Sequence, residues 1–183
     1  GLQASGAKVG AVLLLEANGL KENVDYKAEY LNSQQSIERI RDGQLDAMLT
    51  VTGYPQAAIS ELASTIGAQL VPLSKAERDA VISKAPFYAH GVIPAGTYEK
   101  ITTDTETVTV IAQLLVSAKT DEQLVYDITK AMWNKSSRNL FDKGHAKGKS
   151  VTLETALDGV GIPLHPGAAR FYKEAGMKIP ATK

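Results

Sequence analysis

Between residue 7 and about residue 83 the chain alternates helical apolar patterns with short strand-like apolar runs, and Gly or Pro marks most of the switches. That alternation predicts an α/β fold with a parallel sheet wrapped by helices. A helix is expected from Ala7 to Asn18, stopped by Gly19. Strand Tyr26 to Leu31 follows, with Tyr26, Ala28 and Tyr30 on one face and Lys27, Glu29 and Leu31 on the other. Helix Ser36 to Asp42 carries Ile37 and Ile40 three residues apart, and Gly43 stands where a left-handed C-terminal cap falls. Strand Leu45 to Val51 leads into the turn Thr52-Gly53-Tyr54-Pro55, and a helical pattern opens near Gln56. Gly67 ends that helix before strand Ala68 to Pro72, and Ser74-Lys75-Ala76-Glu77 is a capping box for a helix to about Ile82.

Further on, Pro86, Gly91, Pro94 and Gly96 crowd the stretch from Ser83 to Thr107, which reads as a crossover. Thr107 to Ala118 is β-branched and alternating and reads as a strand. The rest is mostly helical. Asp121 to Asn134 follows a second capping-box sequence at Thr120, with further helices near Ser137 to Asp142 and Thr152 to Asp158. The last runs from Pro166 to Ala175 and is capped by Gly176. The shift in character sets two regions, 1–95 and 96–183.

Composition removes several classes of function. Of 183 residues 44% are apolar and 22% charged, which suits a globular protein and excludes disordered or fibrous ones. Lys plus Arg equals Asp plus Glu at 20 each, so no long-range field draws in nucleic acid or an anionic membrane surface. No nucleic-acid partner is expected. There is no cysteine, which removes disulfides, thiolate nucleophiles and Cys-ligated zinc together. The longest apolar stretch, Val9 to Leu15, is far too short to span a bilayer.

Two corners carry the candidate chemistry. At the first, Ser5 offers a hydroxyl, Gly6 permits close approach of backbone, and the amides of Ala7, Lys8 and Val9 open a helix. A carboxylate fits that donor set, whereas the bland reading has Ser5 capping its own helix and Lys8 solvated. At the second corner Thr52, Gly53, Tyr54 and Pro55 sit at a strand end beside a helix start, where α/β folds collect ligands. Tyr54 brings a phenol that can pack on a ligand and bond it; its bland reading is a packing tyrosine. Phe87, Tyr88, His90, Pro94 and Tyr98 could line a cleft or hinge, or simply pack. His90, His145 and His165 are too scattered for metal-ligand spacing, and no metal or other cofactor is expected.

The order and spacing of several blocks resemble one family over essentially the whole chain. They are Ser5-Gly6 before a helix, Ile40 to Ala47, Gly53-Tyr54-Pro55, Leu164 to Ala168, and Phe171 to Gly176. The chain looks like a TAXI-type solute receptor of a TRAP transporter. The resemblance implies a type II periplasmic binding protein-like fold, with one parallel-sheet lobe and helical and strand elements of a second. Residues 1–95 would be the ligand-binding second lobe. Residues 96–183 would be the crossover and the C-terminal part of the first lobe, whose N-terminal part would be a missing partner. It implies a periplasmic receptor, without catalytic residues, that captures a small carboxylate such as glutamate or a dicarboxylate between its lobes for a TRAP membrane permease. Many members carry Thr where this chain has Ala7.

Enzyme motifs mostly fail. There is no Gly-x-Ser-x-Gly elbow, no His-Glu-x-x-His and no Gly-x-Gly-x-x-Gly, and Gly144 to Ser150 is one residue short of a phosphate-binding loop. The rival reading is a small-metabolite hydrolase or transferase with Ser5 as nucleophile, though no base is evident. A sensor domain using the same cleft is a third. The basic residues Lys130, Lys135, Arg138, Lys143, Lys147 and Lys149 could touch phosphate or a partner, but with zero net charge and no aromatic interleaving they read rather as a solvated face.

Overall fold

A computed structural model describes residues 1–180, which divide into two compact units meeting in sequence at Val110 and Ile111. The first unit contains four helices and a two-stranded ribbon. Helix α1 spans Gly6–Ala17, α2 Ser33–Arg41, α3 Ala57–Thr65 and α4 Lys75–Lys84. Strands β1 (Tyr88–Ile93) and β2 (Thr105–Val110) pair antiparallel, from Tyr88 opposite Val110 to Ile93 opposite Thr105.

Capping explains where these helices begin. At α4 the Ser74 side chain accepts the Glu77 amide and the Glu77 carboxylate accepts the Ser74 amide, the reciprocal pair that the sequence predicts. Asn32 and Gln35 make the same pair at α2, so α2 starts three residues before the expected Ser36. Gly43 and Gly67 take the left-handed conformation just beyond α2 and α3. Ile37 of α2 is fully buried near Leu62 and Ala63 of α3, while Val81 and Ala85 bury the side of α4 that meets the ribbon. Arg78 of α4 pairs with Glu106 of β2, and the Leu73 amide donates to the Glu106 carbonyl at 2.8 Å.

The parallel sheet is not formed among the described residues. Segments 26–31, 45–51 and 68–72 run without a ladder, and Tyr26 joins only an isolated bridge to Glu22. Alternation fixes which face of a strand is apolar but does not supply a neighbour to pair with. The stretch from Ser83 to Thr107 is also corrected, because β1 lies within it. Pro86 and Pro94 flank that strand without entering it, and Gly91 faces Thr107 where an added Cβ would stand 3.0 Å from the Thr109 Cβ. The strand read over Thr107 to Ala118 begins earlier and stops at Val110, since β1 offers no residue beyond Tyr88. Residues 111–116 then make no backbone hydrogen bond among the described residues, and Leu114 and Leu115 are each 66% exposed.

In the second unit α5 spans Glu122–Met132, α6 Lys135–Lys143 and α7 Pro166–Glu174, with a 3-10 turn at Ala146–Ser150. Helices α5 and α7 pack with Val125, Thr129 and Tyr172 buried. Gly167 allows their close approach: a Cβ there would lie 2.2 Å from the Glu122 carbonyl oxygen. His165 enters α7 as read, accepting the Gly167 amide on Nδ1 and donating from Nε2 to the Thr120 carbonyl at 3.0 Å. The helix expected over Thr152 to Asp158 is instead a run of turns, held by the i to i+3 bonds of Ala156 to Leu153 and Asp158 to Thr155.

Candidate functional site

Helix α1 is placed by its one buried residue. A Cβ on Gly10 would stand 2.9 Å from the Tyr88 hydroxyl and 3.1 Å from a Val51 methyl, so a larger residue would have to displace those side-chain ends or shift α1, which packs on α4. At the helix start Ser5 donates to the Leu2 carbonyl at 2.7 Å and accepts the Lys8 amide at 3.2 Å. The hydroxyl's single proton goes to Leu2 and one of its lone pairs to the cap. The Gly6 and Ala7 amides point out of the first turn with no intrahelical acceptor.

The start of α2 forms a second wall. Asn32 takes the Gln35 amide, Ser36 donates to the Asn32 carbonyl at 2.9 Å, and Ser33 accepts from the Gln56 side chain at 3.1 Å. The Ser33 and Gln34 amides are the unpaired donors of this turn. The two helix starts and the segment Met48 to Thr50 enclose a cleft of about 200 Å³. Ser5, Asn32, Ser33, Ser36 and Thr50 give it a polar lining, and Leu2, Ala7, Leu31, Met48 and Leu49 an apolar one. No charged side chain lines it. Its size suits a ligand of few heavy atoms, being below the roughly 300–1,000 Å³ of pockets for drug-sized molecules.

The predicted site residues divide. Ser5 and Ala7 line the cleft, and Gly6 contributes an amide to the same turn. Lys8 is half-buried, with its ammonium 4.6 Å from the centre of the Tyr30 ring, and Val9 is 65% exposed on the outer side of α1. Thr52, Gly53, Tyr54 and Pro55 do not line this cleft, although Thr50, two residues earlier, does. Thr52 bonds the Gly53 carbonyl, and the Tyr54 hydroxyl donates to the Val92 carbonyl of β1 at 3.0 Å, ahead of a cis peptide to Pro55. Sequence reasoning missed Asn32, Ser33 and Ser36. The signal was present as Asn32-Ser33-Gln34-Gln35, a capping-box pattern, but its polar first turn hid it behind the apolar spacing of Ile37 and Ile40.

Elsewhere the titratable groups serve the scaffold. The Glu22 carboxylate, accepting from the Tyr30 hydroxyl at 2.9 and 3.1 Å, raises the Tyr30 pKa above its usual 10.0. Asp79 is lowered by its hydrogen bond from Lys75 and lies 3.1 Å from His90 Nε2. Arg138 donates to Asp142, to the Gly148 carbonyl at 2.6 Å and to the Val151 carbonyl, folding the Gly144 to Ser150 segment back on α6. Among the described residues no cluster of His, Asp or Glu is disposed to hold a metal ion, and no helix is long and apolar enough to cross a membrane.

A small cleft without charged side chains, lined by Gly1 and by the first residues of two helices, is a place to hold a solute. The sequence leads to the same class: residues 1–176 match the NMT1-like family, and the chain belongs to that family. Its members are extracytoplasmic solute-binding proteins, which take a small-molecule ligand and work with a membrane partner.

Proposed function

We propose that this chain is a receptor of the TAXI type, serving a TRAP transporter, which captures a small carboxylate and delivers it to the membrane permease in the periplasm. The carrying observation is that two helix starts, whose first turns leave the amides of Gly6, Ala7, Ser33 and Gln34 without intrahelical acceptors, contribute Ser5, Ala7, Asn32, Ser33 and Ser36 to one cleft lined by no acidic side chain. Helix N-termini favour anions through their free N–H groups and the helix dipole. The ligand is a glutamate-like amino acid or a dicarboxylate. Residues 1–95 form the ligand-binding lobe and 96–183 the crossover and part of the other lobe.

Within this reading Ser5, Gly6 and Ala7 present the ligand-facing turn, and Lys8 and Val9 continue it into the helix. Thr52, Gly53, Tyr54 and Pro55 support it from the neighbouring corner. No catalysis is proposed. A nucleophilic Ser5 is disfavoured because its hydroxyl donates to the Leu2 carbonyl and no histidine lies in the cleft lining. Calorimetric titration with glutarate, 2-oxoglutarate and glutamate tests the reading. Saturable binding of one of the three without turnover supports it, and no saturation by any of them removes the carboxylate.

A further inference from the structure

Lys8 follows directly on Ala7, which lines one wall of the cleft, and Tyr30 directly precedes Leu31 and Asn32, which line the other. The Lys8 ammonium lies 4.6 Å from the Tyr30 ring centre, so a single contact joins the two walls. The Tyr30 hydroxyl in turn donates to both oxygens of Glu22. A phenol that donates to a carboxylate gains electron density in its ring, which strengthens the attraction of the ring face for a cation. Glu22 also adds its own negative charge to the same assembly.

We infer that Lys8, Tyr30 and Glu22 form a clasp that sets the width of the cleft, and that Lys8 is a positioning residue and not the counter-charge of the ligand. The lysine is spent on the aromatic face. The anion is left to the backbone donors of α1 and α2. The inference rests on the carboxylate reading for its affinity readout but not for the clasp itself.

A double-mutant cycle tests it, using Lys8→Met, Tyr30→Leu and the pair, with Tyr30→Phe as the conservative variant. Glutarate titration and urea unfolding are measured on each. Each single change is expected to weaken glutarate binding by roughly 3- to 10-fold, and the pair to be no weaker than either alone, because both remove one shared contact. Tyr30→Phe keeps the ring but releases Glu22, so it should recover only part of the loss seen with Tyr30→Leu, the remainder being the share that the Glu22 bond contributes. Additive losses overturn the clasp, as does a Tyr30→Leu variant that binds as tightly as the parent or tighter while Lys8→Met is weakened. The latter pattern would mean that a released lysine reaches the anion. If the parent chain takes up no glutarate, the carboxylate reading falls. The unfolding midpoints then decide the clasp alone: coupling between the two substitutions supports it and additivity overturns it.

Discussion

The buried hydroxyl of Tyr98 accepts the backbone N–H of Gln56 at 3.0 Å, across 42 residues of sequence. The Gln56 side chain reaches Ser33 and gives α3 no capping bond, so this phenol supplies a partner that the local sequence does not. Tyr54 makes the complementary contact to the Val92 carbonyl two residues earlier. The corner from Tyr54 to Gln56 is therefore fastened from both sides to β1 and the turn beyond it.

Tyr98→Phe should destabilise the first unit by about 1–3 kcal/mol, because it strands a part-buried amide while leaving the ring in place. Tyr54→Phe should cost less, about 0.5–1.5 kcal/mol, and leave glutarate affinity within about twofold. Urea unfolding and calorimetry of the two variants check this. A large loss of affinity in Tyr54→Phe with unchanged stability would move that phenol to the ligand.

Because no acidic side chain lines the cleft, the ammonium of an amino acid would find no counter-charge there. Glutarate is expected to bind at least about tenfold more tightly than glutamate, which differs from it only by the amino group. Competition calorimetry with the matched pair measures the ratio. Equal affinities would place an unassigned acceptor at the amine.

Gly167→Ala puts a Cβ within 2.2 Å of the Glu122 carbonyl oxygen and 2.7 Å of the Tyr126 nitrogen, both backbone atoms that cannot rotate away. Helices α5 and α7 must separate to admit it. A loss of about 1–3 kcal/mol is expected, read as an earlier urea midpoint for the Trp133 fluorescence transition.

The capping box of α4 predicts an acid dependence. The Ser74 hydroxyl and amide, bonding the Glu77 carboxylate, hold its pKa below the ordinary 4.5. The stabilisation is thus fully present above about pH 4.5 and fades as pH falls through the lower folded value. Ser74→Ala should cost about 1 kcal/mol at neutral pH and make the decline between neutral and acid pH shallower. Thermal unfolding of both proteins across that range distinguishes this from a uniform loss.

Local signals carried much of the fold. Ser74 and Glu77, Gly43, Gly67 and the His165-Pro166 entry each act through their own few residues of backbone, so the sequence displays them directly. Pairing is different. Residues 45–51 have the composition of a strand, yet nothing within them names the strand they would join. β1 went unseen for the opposite reason, since the prolines near it suggested interruption when they stand at its ends. The site was legible in the same measure. Ser5 and Ala7 announce a helix start, whereas their meeting with Asn32, Ser33 and Thr50 depends on Gly10 letting α1 settle close to Val51 and Tyr88.

Residues 111–116 are irregular, exposed and without ladder partners among the described residues. Proteases bind their substrates as an added strand, which makes such a stretch a ready substrate without prior unfolding. Chymotrypsin at low concentration would meet Leu114 and Leu115 before the leucines and aromatics held in helices. The first cut would fall near the boundary between the two compact units and hand each to the experimenter as a separate polypeptide.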